Sequence, residues 1–263
     1  MQFRKLSYCA LLVALLFVIG CGGGEKPADE TAAPAPSSSA PAGGGNAYDA
    51  SKATATVSGK IMFDGVKPTP VKLPLTPECK QVHQGSEAVD QSVEVNPDNT
   101  LKDVLVYVTV GADKWTYPTP TTAVVLDQIG CHYEPHVIPI MANQPLKIRN
   151  SDPFLHNIHP QPKNNPEFNM GQPVKGMESV KTFANPEVAI PVKCDVHRWM
   201  QAYITVMKNP FYAVTGGDGS FSIKLPAGSY TIEAWHEKLG TQTQQVTVAD
   251  NETKEATFTF KAM

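Results

Sequence analysis

Apolar and polar residues alternate with a period of two along much of this chain, and the alternating runs end at turn signals. Such runs place one strand face against a core and the other toward water. Thr54–Phe63 alternates loosely and meets Asp64-Gly65, which predicts a strand and a tight turn. The segment 66–100 is rich in Pro and polar residues, with a short strand at Ser92–Val95 before the turn Asn96–Asn99. Val104–Val110 is almost continuously apolar and β-branched, as a buried strand is. Short strands follow at Ala123–Asp127, His136–Met141 and Pro145–Asn150. Val188–Lys193 and Ala202–Met207 alternate on either side of a short loop. Phe221–Leu225, Tyr230–Trp235, Gln244–Val248 and Ala256–Phe260 close the chain, with turns at Gly216–Gly219 and Pro226–Gly228. No segment after residue 20 sustains a helical period. Short strands parted by frequent turns predict an all-β chain of sandwich architecture.

The loop between the two alternating runs carries the chemistry. It reads Lys193-Cys194-Asp195-Val196-His197-Arg198-Trp199-Met200, with a thiol, an imidazole and a thioether at i, i+3 and i+6. Sulfur ligands with imidazole suit copper. A second imidazole lies upstream in Asn150-Ser151-Asp152-Pro153-Phe154-Leu155-His156, and His159 follows it at a spacing that also allows metal contact. Two imidazoles, one thiolate and a weak thioether make up the blue-copper ligand set.

The start of the chain departs from the strand pattern. Arg4 and Lys5 precede an apolar run, Ala10 to Ile19, that is too short to span a bilayer. Residues 1–20 therefore read as a signal peptide. Val18-Ile19-Gly20-Cys21 resembles the bacterial lipobox, which implies a lipid on Cys21; an ordinary signal with an incidental Cys is the alternative. Gly22 after it favours the outer membrane, facing the periplasm, over inner-membrane retention. Residues 21–52, mostly Gly, Ala, Pro and Ser, read as a disordered tether. Loss of Arg4 and Lys5 takes the formal charge from -3 to -5. That mild acidity argues against sequence-independent nucleic-acid binding.

The chain has five cysteines. Cys9 leaves with the signal and Cys21 takes the lipid, so Cys79, Cys131 and Cys194 remain. In an oxidising compartment an odd number leaves one thiol unpaired. The ligand spacing around Cys194 makes a Cys79–Cys131 disulfide the economical assignment. Two alternatives stand: Cys194 pairs with one of the others and no metal site exists, or Cys131, His132 and His136, with His83 near Cys79, form a second site.

Cys194-x₂-His197-x₂-Met200, preceded by Asn150-x-Asp152-x₃-His156-Asn157, resembles the cupredoxin family of plastocyanin and azurin over roughly residues 120–208. The resemblance implies a Greek-key β-sandwich and one type 1 copper ion held by His156, Cys194, His197 and Met200. The early His followed by Asn favours His156 over His159. The gap between His197 and Met200 is shorter than in most plastocyanin-like members, which leaves the axial role of Met200 open. Asn157 is expected to brace the ligand loop. Trp199 is either an aromatic at the electron exit or packing under the loop, and Trp235 and His236 read as structural.

Residues 211–248 resemble the carboxypeptidase-regulatory-like, transthyretin-like module. Asp218-Gly219-x-Phe221-x-Ile223 and Leu225-Pro226-Ala227-Gly228-x-Tyr230 carry that resemblance. It implies a second, small sandwich over 209–263. The first strand, in residues 53–119, resembles the opening strand of such modules, so the copper domain is either inserted into that module or precedes it in series. The layout also resembles periplasmic proteins labelled methylamine-utilisation-like.

The expected function is single-electron transfer between a redox donor and acceptor by a lipid-anchored periplasmic protein. Copper storage or delivery, and a non-metal surface-binding module, are the alternatives. No nucleophile–base pair, phosphate loop or zinc-protease motif appears, so an enzyme is not expected.

Overall fold

The computed structural model describes residues 45–83 and 87–262. The expected signal peptide, Cys21 and most of the tether lie outside these residues. The described chain is nearly all β, as the alternation predicts, and its strands form two β-sandwiches, one set inside the other. The last residues of the expected tether have partners. β1 (Asn46–Ala47) lies parallel to β4 (Trp115–Thr116), and Tyr48 packs edge-on to Phe211 and Trp115.

The outer sandwich opens with β2 (Ala55–Asp64), whose alternate residues Ala55, Val57, Ile61 and Phe63 are buried. A short helix follows, α1 (Pro77–Val82), started by Pro77 and capped by the Thr76 hydroxyl. Next comes β3 (Leu105–Val110), buried over its first four residues. The chain then leaves this sandwich. It returns at β14 (Tyr212–Val214), β15 (Ser220–Leu225), β16 (Gly228–His236), β17 (Gly240–Val248), β18 (Thr253–Glu255) and β19 (Phe258–Lys261). One sheet has the order β14-β3-β16-β17 and the facing one β15-β2-β18, with β19 also on β2. β2 is thus antiparallel to β15 and parallel to β18 and β19. Gly59 makes the crowding around β2 tolerable, because a Cβ there would sit 1.8 Å from the Ala256 carbonyl oxygen.

The inserted sandwich runs from β5 (Val124–Ile129) through β6 (His132–Glu134), β7 (Val137–Met141), β8 (Leu146–Asn150), β9 (His156–Pro160), β10 (Met170–Gln172), β11 (Glu178–Lys181) and β12 (Glu187–Lys193) to β13 (Gln201–Met207). Its sheets have the orders β10-β9-β12-β13-β7 and β11-β8-β5-β6. Between them lies a core of Leu126, Tyr133, Ile138, Leu146, Ile148, Phe183, Ile190 and Ile204, reaching Cys194 and Met200. Leu75 and Val82, beside or within α1, pack on the same core. A third cluster, Leu105, Tyr107, Val137, Met141 and Met207, joins the two sandwiches.

Candidate metal centre

β9 and β12 are antiparallel neighbours, so the start of one lies near the end of the other. His156 opens β9, and Cys194 directly follows β12. β12 and β13 form a hairpin whose connecting loop is the Cys194–Met200 segment. The loop folds on itself: Met200 N–H donates to the His197 carbonyl at 2.9 Å, and Cys194 N–H to the Met200 carbonyl at 3.3 Å. The His197 N–H donates to Cys194 Sγ at 3.3 Å.

This closure brings His156, Cys194 and His197 together, with one ligand atom of each within 4.8 Å of the others. The two Nδ1 atoms are 2.9 Å apart, and His197 Nδ1 is 3.9 Å from Cys194 Sγ. An ion coordinated at about 2.0 Å by imidazole and about 2.3 Å by thiolate sets its ligand atoms roughly 3–4 Å apart, so these three residues fit one ion. All three are buried, His156 at 0%, Cys194 at 1% and His197 at 4% exposure. Met200 is buried in the same core as Cys194.

Asn157 braces the loop from β9. Its Oδ1 accepts from the Asp195 N–H at 2.7 Å, the Val196 N–H at 3.3 Å and Cys194 Sγ at 3.3 Å. The Tyr133 hydroxyl lies 2.5 Å from the Asn157 carbonyl and 3.0 Å from that of Lys193, tying both ligand strands to the opposite sheet. Burial pushes the Cys194 thiol up. The imidazoles of His156 and His197, with backbone groups of Asn157 and His197, outweigh it and bring the thiol down to about 6. Burial also disfavours the charged His156 ring, but Asp152 and Cys194 raise its pKa overall. Asp152 is held below the usual carboxylate range: burial raises it, and hydrogen bonds from His156, Cys131 N–H and Gly130 N–H prevail.

His159, the other candidate imidazole, is turned to the surface network. Its Nε2 meets Glu167 at 2.6 Å and its Nδ1 meets Asp195 at 3.0 Å, where Asn169 also bonds at 2.6 Å. Cys79 and Cys131 are joined in a disulfide that fastens α1 to the β5–β6 turn, and Cys194 is free. In that disulfide Cys131 is not a thiolate for the second site considered above, where His83 Nε2 and His132 Nδ1 both face the Gly130 carbonyl, at 2.6 and 2.9 Å, and His136 is paired with Glu237. The disulfide is itself close to the site, each sulfur within 4.8 Å of a His197 ring nitrogen.

Residues 200–261 match the model of the carboxypeptidase regulatory-like domain. That match begins at the end of the ligand loop, includes β13 of the inserted sandwich and continues through β19. No curated protein matches the chain. Among solved structures, a copper-containing nitrite reductase from Thermus scotoductus SA-01 is similar at 23% identity and a TM-score of 0.31, over 39% of this chain and 25% of that one. A mutant of amicyanin in its Cu(I) form is similar at 20% identity and a TM-score of 0.29, over 32% of this chain and 82% of that one. The chain thus spans a quarter of the reductase's length. What its own centre can do rests on its own residues.

Two contacts around the ligands could not be read from the sequence, although Asp152 is itself part of the Asn150-x-Asp152-x₃-His156 pattern. Asp152 sits beside His156 because the bend between β8 and β9 folds back, which a spacing of four in a non-helical segment does not announce. Phe154 packs its ring 5.3 Å from that of His156 and 6.1 Å from that of His197, closing the apolar side.

Proposed function

We propose that this chain is a copper electron carrier, held at a membrane by a lipid on Cys21 and facing the periplasm. The observation that carries the reading is the convergence of one free, buried cysteine with two buried imidazoles from two neighbouring strands. Thiolate and imidazole in this combination select copper over harder ions, and copper so held supplies a one-electron change. His156, Cys194 and His197 are the strong ligands, and Met200 takes the weak fourth position. The chain's part is rigidity. Strand pairing, the Asn157 brace and the closed ligand loop keep the set in place whatever the charge at its centre. Trp199, half-buried with its ring 5.3 Å from that of His197, and the exposed side chains of Val196 and Leu155 mark where a donor or acceptor approaches.

Adding Cu(II) to protein beginning at Gly45, the first described residue, is expected to give intense visible absorption at one ion per chain. Cys194→Ser is expected to abolish it. A colourless wild type, or colour that survives in Cys194→Ser, overturns the reading. The deep burial of all three ligands also suits a copper store, which an irreversible redox couple and strong preference for Cu(I) would reveal.

A further inference from the structure

We propose that Asp152 is a positioning residue of this centre: it fixes the ring of His156 and supplies the negative charge that favours the higher oxidation state of the bound copper. The proposal rests on the copper reading above.

The Asp152 carboxylate is 3% exposed and engaged on both oxygens. Oδ1 accepts from the Gly130 N–H at 2.9 Å. Oδ2 accepts from the Cys131 N–H at 2.8 Å and from His156 Nε2 at 2.8 Å. An ionised carboxylate only accepts, so the proton of His156 is on Nε2, and the neutral ring keeps its lone pair on Nδ1. Nδ1 is the nitrogen that faces His197. The anchor of this arrangement is stiff. Gly130 and Cys131 both have left-handed backbones, φ 61° and φ 56°, and Cys131 is bonded to Cys79. Asp152's own N–H is held by Asn150 Oδ1 at 2.9 Å. The ring is thereby referenced to the opposite sheet through a single carboxylate.

The carboxylate also places a full negative charge one hydrogen bond from a ligand ring. In a buried setting that charge acts over short distances with little screening, and it favours a doubly charged ion over a singly charged one. Removing it weakens Cu(II) binding more than Cu(I) binding.

The test is Asp152→Asn, which keeps the side-chain shape and removes the charge, with Asp152→Glu as the charge-retaining companion. Cu(I) and Cu(II) affinities are measured separately by chelator competition, with the reduction potential by voltammetry. Nitrogen NMR of the metal-free protein reads the His156 tautomer. Asp152→Asn is expected to lower the ratio of Cu(II) to Cu(I) affinity by about tenfold or more and raise the potential, and Asp152→Ala, which also removes the acceptor, to release the fixed Nε2–H tautomer. Asp152→Glu is expected to hold the ratio near wild type even where folding stability falls. Equal losses for both ions with an unmoved potential overturn the proposal and leave Asp152 a structural group. So does failure of both variants to fold while Asp152→Ala folds with wild-type potential. A wild type that binds no copper sinks the copper reading and this proposal together, whereas a coloured wild type with an unchanged Asp152→Asn sinks this one alone.

Discussion

Asn157 shows how much of the Cys194–Met200 loop's shape rests on one amide. Its oxygen gathers the Asp195 and Val196 N–H groups and the Cys194 sulfur, while its Nδ2 reaches Asn169 Oδ1 at 2.7 Å. Leucine has nearly the same shape and none of these acceptors. Asn157→Leu is expected to cost about 1–3 kcal/mol in the metal-free protein, read by urea unfolding, because the loop donors lose their partner. The thiol itself gives a second prediction. With a folded pKa of about 6 against an ordinary 9.0, Cys194 is expected to ionise near pH 6 in metal-free protein, seen as thiolate absorbance. His197→Ala removes one of the groups that lower it, so the midpoint is expected to move up toward 9.0; a midpoint that stays near 6 would show that His197 does not set it. The candidate ligands were legible because their chemistry is in the residue type: only cysteine gives a thiolate, and Cys194, His197 and Met200 share one short loop. The choice between His156 and His159 is decided by the strand. His156 faces the core beside Cys194, while His159 meets two carboxylates near the surface.

α1 is fastened to the inserted sandwich, and β2 organises the outer one. α1 is too short to show a helical period, and its signal in the sequence was confined to Thr76 as a cap and Pro77 at the first position. What docks it is the Cys79–Cys131 bridge, which closes a separation of 52 residues. In a chain-entropy account such a loop is worth about 4 kcal/mol, so replacing both cysteines by alanine is expected to lower the denaturant midpoint by a corresponding amount. Because the sulfurs adjoin His197, the same variant is expected to perturb the copper spectrum as well. β2 is the frame's central strand, and Gly59→Ala there drives a Cβ into the Ala256 carbonyl. Backbone must shift to relieve it. A loss of about 1–3 kcal/mol or more is expected, and a thermal melt unchanged from wild type would contradict the parallel packing of β18 and β19 on β2. These pairings mark what the sequence does not show. Alternation in residues 54–63 announces a strand and its buried face, but a period of two is blind to partners. That β2 joins strands near the chain's end, with the inserted sandwich between, follows from shapes that only assemble in three dimensions.

At the scale of the whole molecule, the two sandwiches meet over a small apolar cluster and one buried ion pair. His136, just before β7, lies 2.5 Å from Glu237, just after β16, and both side chains are nearly inaccessible. The Tyr203 hydroxyl of β13 donates to the other Glu237 oxygen at 3.1 Å. Burial acts against charge on both partners, yet the pairing prevails. Glu237 is held below its ordinary 4.5, first against burial and then through His136, Lys238 and Tyr203. His136 is raised above 6.5, with Glu237 the main favourable group and Asp103 and Glu94 adding to it. The sign of the pH dependence follows. The lowered Glu237 contributes stability that is complete above 4.5 and fades as pH falls. The raised His136 contributes stability that is complete below 6.5 and fades as pH rises through its folded value. Both contributions are full only between pH 4.5 and 6.5. The neighbouring His236 runs the other way, since burial keeps it neutral with a pKa of about 4, so acidification below 6.5 costs stability there. That cost is common to wild type and a Glu237→Gln variant, to the extent that His236 does not feel the lost charge. The difference in unfolding free energy between the two proteins is therefore the quantity to follow. It is expected to reach about 3–5 kcal/mol where one charge of a buried pair is left alone, to be largest in that mildly acidic window, and to shrink on both sides of it. A difference that does not vary with pH would mean that the pair is not ionised. Because Tyr203 lies on the strand that leaves the ligand loop, the copper spectrum of Glu237→Gln, recorded across the same range, then reports whether loosening this joint reaches the metal centre.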